Sequence, residues 1–285
     1  MNPMMDLALE LDPALLMAAA GMQPDPWQAT FLRSDAERTL LLCGRQTGKS
    51  TTTAVKALHK ALYKPKSLTL LLSPALRQSG ELFRKVIGHY EAIGCELGTK
   101  SQSALQVEFE NGSRIVSLPG REETVRGYSG VDLIIVDEAA RVPDELYFSV
   151  RPMLAVSRGQ FIALSTPFGK DGWFADSWIG ADLEPDEPDE EGGEGGWLRM
   201  KATAESCLRI TPQFLKQERK TMGEWWYEQE YLCKFKDNVD TVFDSEAIDA
   251  AFSASVAPLF DPSVIQPITT DGLLDAAVEP LAGVN

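Results

Sequence analysis

The residues best suited to chemistry lie in one run, Cys43-Gly44-Arg45-Gln46-Thr47-Gly48-Lys49-Ser50-Thr51. A Gly-rich loop that opens a helix points backbone N–H groups at an anion, and the helix dipole favours negative charge there. Residues Gly44, Arg45, Gln46, Thr47, Gly48, Lys49, Ser50 and Thr51 are therefore the candidate phosphate cradle of an ATP site. Lys49 has the reach to meet β- and γ-phosphates, and the Ser50 hydroxyl suits Mg²⁺. The run departs from G-x-x-x-x-G-K-[ST], because Cys43 stands at the first Gly position and a Gly follows at 44. Arg45 inside the loop would compete with Lys49 for phosphate charge unless it has its own task, such as binding the γ-phosphate or triggering hydrolysis in cis. A Gly-containing turn before an ordinary helix has the same outline, so the flanking elements must decide.

A second cluster ends the apolar run Leu133-Ile134-Ile135-Val136 with Asp137 and Glu138. Open α/β sheets bind ligands at the carboxyl ends of their strands. There Asp137 suits the Mg²⁺ shell and Glu138 suits polarisation of an attacking water. Two acids after an apolar strand are common by chance; the upstream phosphate loop gives them meaning. Ser165-Thr166-Pro167 ends the next apolar run, where Thr166 is placed to sense the γ-phosphate or the water, although an ordinary turn reads the same way. Trp27-Gln28 precedes the first strand. Gln28 could hydrogen-bond an adenine edge and a ring such as Trp27 could stack on it, or the Trp is simply buried. Arg126, just ahead of the strand bearing the acids, is a candidate arginine finger toward a neighbouring subunit, against the plainer reading of a surface ion pair.

These residues need a sheet to hold them. Residues 39–43, 67–73, 131–136 and 160–164 read as short buried strands. Residues 49–62 and 78–93 read as helices, the latter with apolar residues at Leu82, Phe83, Val86, Ile87 and Tyr90 in helical spacing. Residues 105–109 and 113–118 flank Asn111-Gly112, a hairpin signal. A strand-like segment at 197–203 and a helix at 212–222 follow, then an aromatic-rich stretch at 225–235. Strands alternating with helices predict an α/β protein with a mostly parallel sheet flanked by helices.

Composition sets the limits. The chain has 285 residues and a formal net charge of −15. Residues 182–194 hold eight acids, and residues 237–285 hold nine acids with no Lys or Arg. Without those two segments the remainder is near neutral, so a DNA partner stays open. The four cysteines are far apart in sequence, which excludes a zinc ribbon or a C-x-x-C pair and fits a reducing cytoplasm. No run reaches the length of a membrane span, so no membrane role is expected. The acidic N-terminal stretch is unlike a secretory n-region and reads as a short docking helix.

Taken together, W-Q, then G-R-Q-T-G-K-S-T, then L-I-I-V-D-E-A-A, then S-T-P resemble the ATPase domain of the large terminase subunit of tailed phages. The loop arginine and the missing first Gly match that family's variant of the loop. The resemblance covers about residues 24–245. It implies a P-loop NTPase of the additional-strand, catalytic-glutamate class with a small C-terminal subdomain. It implies roles for Gln28, Arg45, Lys49, Ser50, Asp137, Glu138 and Thr166, and matches Arg126 to the family's trans finger in approximate position. It also implies ATP and Mg²⁺ as cofactors, and double-stranded DNA, a portal protein and a small terminase subunit as partners. The chain would form a homo-oligomeric ring on the portal, be a monomer in isolation, and act in the cytoplasm of a bacterial host.

The expected layout is an N-terminal docking arm over 1–23, an ATPase core over 24–180, an acidic disordered loop over 181–196, a lid subdomain over 197–245 and a tail over 246–285. Family members usually continue into a nuclease of ribonuclease H type. The acids after Phe243 lie on no clear strand, so no nuclease is expected from this chain. A helicase-like motor or a nucleotide-dependent assembly module is the alternative.

A loop of eight acids with Pro and Gly buries little apolar area, and surface loops cost little to shorten. Replacing residues 184–194 by a short Gly-Ser link is expected to shift the melting temperature by no more than about 2 °C in a thermal scan, a stability change below about 0.5 kcal/mol.

Overall fold

The computed structural model describes residues 3–180 and 196–236. Of the acidic loop expected over 181–196, residues 181–195 lie outside the described residues, as does the tail expected over 246–285. In chain order the helices and strands are α1 (Pro3–Leu11), α2 (Pro13–Ala19), α3 (Pro26–Arg33), β1 (Arg38–Cys43), α4 (Lys49–Tyr63), β2 (Leu68–Ser73) and α5 (Leu76–Ile93). Then come β3 (Thr99–Gln102), β4 (Gln106–Phe109), β5 (Arg114–Pro119), α6 (Glu122–Val125), β6 (Leu133–Asp137), α7 (Asp144–Val150), β7 (Gln160–Ser165), α8 (Trp173–Ile179), β8 (Leu198–Ala202), α9 (Pro212–Met222) and α10 (Glu224–Glu230).

The strands form one sheet in the order β3-β4-β5-β2-β6-β7-β1-β8. From β5 to β8 every pairing is parallel, and β3, β4 and β5 are antiparallel neighbours. Strands β2, β6 and β7 are buried along their whole length, and β1 nearly so, which is why they read as apolar runs. Alternate side chains feed two cores. Leu41, Leu71, Ile135 and Leu164 face α1 to α5. Leu42, Leu70, Ile134 and Phe161 face Tyr147 and Trp173.

Strand β7 lies between β1 and β6, with Leu41 opposite Leu164 and Val136 opposite Ala163. This inserted strand is the signature of the expected class. All the parallel strands end at one edge, so Cys43, Ser73, Pro119, Asp137, Ser165 and Ala202 share it.

Three elements differ from the sequence reading. The N-terminal stretch forms two helices, and Leu9, Leu16 and Met17 are spent in the core beside α4. The lid boundary expected at 197 moves, because β8 pairs with β1 and completes the main sheet. Strand β3 has no apolar pattern, since it is a short polar edge strand with three of its four residues exposed. Beyond β8, Leu215, Tyr227, Tyr231 and Ala204 make a small core of their own.

The Asn111-Gly112 turn does more than close the β4–β5 hairpin. The Asn111 amide donates to the carbonyls of Ala61 (2.9 Å) and Leu62 (3.2 Å), and its oxygen accepts from the Ser113 N–H (2.9 Å). The Ala61 carbonyl also accepts from Ser113 Oγ at 2.6 Å, so the carbonyl at the end of α4 that depends on Asn111 is that of Leu62. Asn111→Ala is expected to cost about 1–3 kcal/mol in urea denaturation, through the Leu62 carbonyl left without a donor.

Candidate functional site

The loop after β1 is shaped by backbone before any side chain matters. Gly48 caps α4 from the left-handed region (φ 90°, ψ 15°), and no side chain caps the helix. The first N–H groups of α4 are thus left for an anion. A Cβ on Gly48 would meet Gln28 Nε2 at 2.8 Å. Gln46 also has positive φ (62°), which completes the tight wrap of the loop.

Lys49 opens α4, and its Nζ lies 2.8 Å from Glu138 Oε1. Ser50 Oγ donates to Asp137 Oδ2 at 2.9 Å. The four residues predicted to carry nucleotide chemistry therefore converge from β1–α4 and β6, although 87 residues separate Ser50 from Asp137. Asp137 is nearly buried, and that burial pushes its carboxyl above the usual range against the pull of Lys49 and Ser50. Glu138 sits in left-handed backbone (φ 55°, ψ 43°), a conformation costing on the order of 1 kcal/mol for a non-Gly residue. That twist turns its side chain out of the strand's alternation and toward Lys49. Thr166 is buried just after β7, the strand between those of Cys43 and Asp137.

Gln28 needs correction. It is fully buried and its amide is committed within the protein. Its Oε1 accepts from Asp25 N–H (2.8 Å), and its Nε2 donates to the Thr47 carbonyl (3.3 Å). It braces the phosphate loop and presents no free edge to adenine in this structure. The signal was present in Asp25-Pro26-Trp27-Gln28, a capping box with Pro at N1, which assigns Gln28 to the helix start. Trp27 packs partly buried against the core beside α4 and not as an open stacking platform.

Arg45 also points elsewhere than to the γ-phosphate position. Its Nε donates to Glu230 Oε2 at 2.8 Å, and its backbone N–H donates to the Glu230 carbonyl at 2.8 Å. The neighbouring carboxylate raises its pKa further. Glu230 is buried on α10 and has Arg141 3.9 Å away on its other oxygen. Arg126 caps α6 with an exposed side chain and pairs with Glu122. It follows β5, which is four strands from β1 in the sheet, and among the described residues its ion-pair partner is Glu122 and no residue of the phosphate loop.

Sequence reasoning missed Asp25, Arg209 and Glu230. Arg209 grips Asp25 with two hydrogen bonds of 2.8 Å and donates to the Thr47 carbonyl at 3.1 Å. Thr47 is thus held from α3 by Gln28 and from the C-terminal segment by Arg209. These partners are about 160–180 residues apart in sequence, and only Asp25 carries a local sign of its role, as the helix cap.

Comparison with known proteins gives the same outline. Residues 40–250, well over half of the chain, match the family described as terminase large subunit, T4likevirus-type, N-terminal. The terminase large subunit of Thermus phage G20c is 27% identical over 179 residues, which is 56% of this chain and 36% of that protein. The chain thus spans about a third of that relative's length. The ATPase domain of the Thermus phage P74-26 large terminase superposes with a TM-score of 0.68 at 22% identity, covering 79% of this chain and 99% of that domain. The large terminase of thermophilic bacteriophage D6E, in complex with ATP-γ-S, superposes with a TM-score of 0.57 at 14% identity over 74% of this chain and 52% of its own.

Because Arg209 holds both Asp25 and the loop carbonyl, Arg209→Ala is expected to loosen the phosphate loop. A fluorescent ADP analogue should bind about tenfold more weakly, equivalent to about 1.4 kcal/mol. The thermal midpoint should also fall, while Arg209→Lys recovers part of the stability and less of the affinity, since it cannot bridge both acceptors in a plane.

Proposed function

The chain belongs to the terminase large-subunit family through its N-terminal domain, and on that premise we propose that it is the ATP-hydrolysing motor of a phage DNA-packaging machine. The observation that carries this reading is the convergence of Lys49, Ser50, Asp137 and Glu138 at one end of β1 and β6, within hydrogen-bonding distance in two pairs.

ATP with Mg²⁺ would supply the reactive phosphoanhydride and the charge neutralisation its cleavage needs. The donor set fits that group: an open helix N-terminus for phosphate, and a hydroxyl beside a carboxylate for a hard cation. Lys49 would give up its bond to Glu138 to meet phosphate oxygens, and Glu138, released from Lys49, would accept a proton from the attacking water. Ser50 and Asp137 would hold the cation. Thr166 sits between the two strands, placed to register loss of the γ-phosphate. Arg45 would act on the nucleotide only by leaving Glu230, its partner here.

The substrate of movement would be double-stranded DNA, driven through a portal with a small terminase subunit presenting it, in the cytoplasm of the bacterial host. Arg126 would complete the site of the next subunit in a homo-oligomeric ring. Its exposure and its pairing with Glu122, away from the phosphate loop, support a role in trans. Nuclease activity is assigned to no residue described in this chain.

Lys49→Ala is expected to lower both nucleotide binding and phosphate release. Glu138→Gln is expected to retain binding and lose about 10²-fold or more in turnover, read by steady-state phosphate release. Parental turnover in the Gln variant would remove Glu138 from the catalytic role.

The trans assignment has its own test. ATP turnover per subunit should rise with protein concentration, and Arg126→Ala should abolish that rise with binding intact. Mixing the Arg126→Ala and Glu138→Gln chains should recover part of the activity, because some interfaces then pair an intact arginine with an intact glutamate. Failure to complement under conditions where the parent assembles would shift the search to Arg121, which precedes α6.

A further inference from the structure

The opposite end of the sheet carries a second concave site. A cavity of about 600 Å³ opens where β1, β7 and β8 begin, bounded on one side by α7 and the turn after it. Each of these strands is five or six residues long, so the cavity lies roughly 20 Å from the phosphate loop, at about 3.3 Å per residue. None of the nucleotide-site residues lines it.

Its floor is a rigid aromatic cluster. Tyr147 stacks on Trp173 with ring centres 4.4 Å apart. Phe161 meets Tyr147 edge-on at 5.7 Å and Trp197 at 5.9 Å. The rim is basic and apolar together. Arg151 lies 5.4 Å over the Tyr147 ring, and Arg158 stands on the turn in left-handed backbone (φ 48°). Phe148 is 60% exposed and Val156, on the same turn, 90% exposed. Neither Arg151 nor Arg158 has an ion-pair partner among the described residues, and Glu37 is the one acid among the lining residues. Arg38 also lines the cavity and is engaged elsewhere.

Two arginines without a carboxylate partner stand here beside exposed Phe and Val, so the rim offers both positive charge and apolar surface. Trp, Tyr and Arg around a concave apolar floor are the composition of an interface hot spot. Charge complementarity selects an acidic occupant. A DNA duplex would present phosphates to the arginines, but its stacked bases could not reach the recessed rings, and the aromatic floor would go unused. A protein segment uses both: an apolar side chain seated against Phe148 and Trp197, and carboxylates forked by guanidinium. We propose that this cavity is a docking site for an acidic peptide segment of a partner protein, anchored by one bulky apolar residue and held by Arg151 and Arg158. The site is independent of the nucleotide chemistry and stands whether or not this chain turns over ATP.

The test uses the full chain and a dye-labelled peptide of alternating Asp and Glu around one central Phe, read by fluorescence anisotropy. Saturable binding is expected at tens of micromolar, on the order of 6 kcal/mol. Arg151→Glu with Arg158→Glu should weaken it at least tenfold, and Phe148→Ala should weaken it severalfold. Phosphate release should be unchanged in each. All three positions are solvent-exposed, and thermal melting confirms that the variants fold.

Equal binding of a peptide with Ala in place of Phe would reduce the effect to general charge attraction and overturn the proposal. So would an undiminished affinity in the double variant, or no binding at about 1 mM peptide. Binding of a DNA duplex that depends on both arginines, with none of the peptide, would assign the face to nucleic acid instead.

Discussion

The ion pair between Lys49 and Glu138, 2.8 Å across, is the interaction on which the arrangement depends. It joins the first residue of a helix to the last turn of a strand two positions away in the sheet. The spacing works because β7 lies between β1 and β6, which sets the two strand ends about 10 Å apart, within reach of a Lys and a Glu extended toward each other. The left-handed backbone at Glu138 then breaks the alternation that would point its side chain to the opposite face. Asp137 keeps the strand geometry and meets Ser50, so consecutive acids serve two different partners. A carboxylate in each role is held ready, one paired with a cation and one with a hydroxyl. Neither stands alone in the low-dielectric edge of the core, where an unpaired charge would be costly.

The phosphate loop is braced from outside the sheet as well. One carbonyl, that of Thr47, accepts from Gln28 and from Arg209, so α3 and the C-terminal segment pull on the same peptide group. Gly44 sits where a Cβ would come within 2.7 Å of the Tyr231 carbonyl, so the loop and the segment after α10 meet with no room for a side chain. Glu230 receives Arg45 at the same junction. A change in the loop is therefore felt directly by α10, through main chain and charge together, and the small C-terminal core moves with the loop or resists it as a unit.

The two ends of the sheet have opposite chemistry. The carboxyl ends gather acids, hydroxyls and one uncapped helix N-terminus. The amino ends gather arginines and rings around a recess. Parallel strands make this separation natural, since every loop at one end follows a strand and every loop at the other precedes one.

Much of the working site was legible in the chain itself. Fully buried parallel strands must be apolar throughout, so β1, β2, β6 and β7 stand out as runs, and a Gly-rich turn between a strand and a helix has few uses other than holding an anion. Asn111-Gly112 marked its hairpin because the turn places Gly112 in left-handed backbone (φ 81°), which favours Gly. The tertiary structure decided what the local pattern could not carry. Gln28 braces the loop and does not read a base. Arg45 rests on Glu230, and Arg209 reaches Asp25 across 184 residues. The edge strand β8 belongs to the main sheet. Each of these depends on a polar partner distant in sequence. Hydrophobic periodicity is written locally, residue by residue, whereas the partner of a charge is fixed only when the chain has folded and its desolvation must be met by whatever group lies beside it.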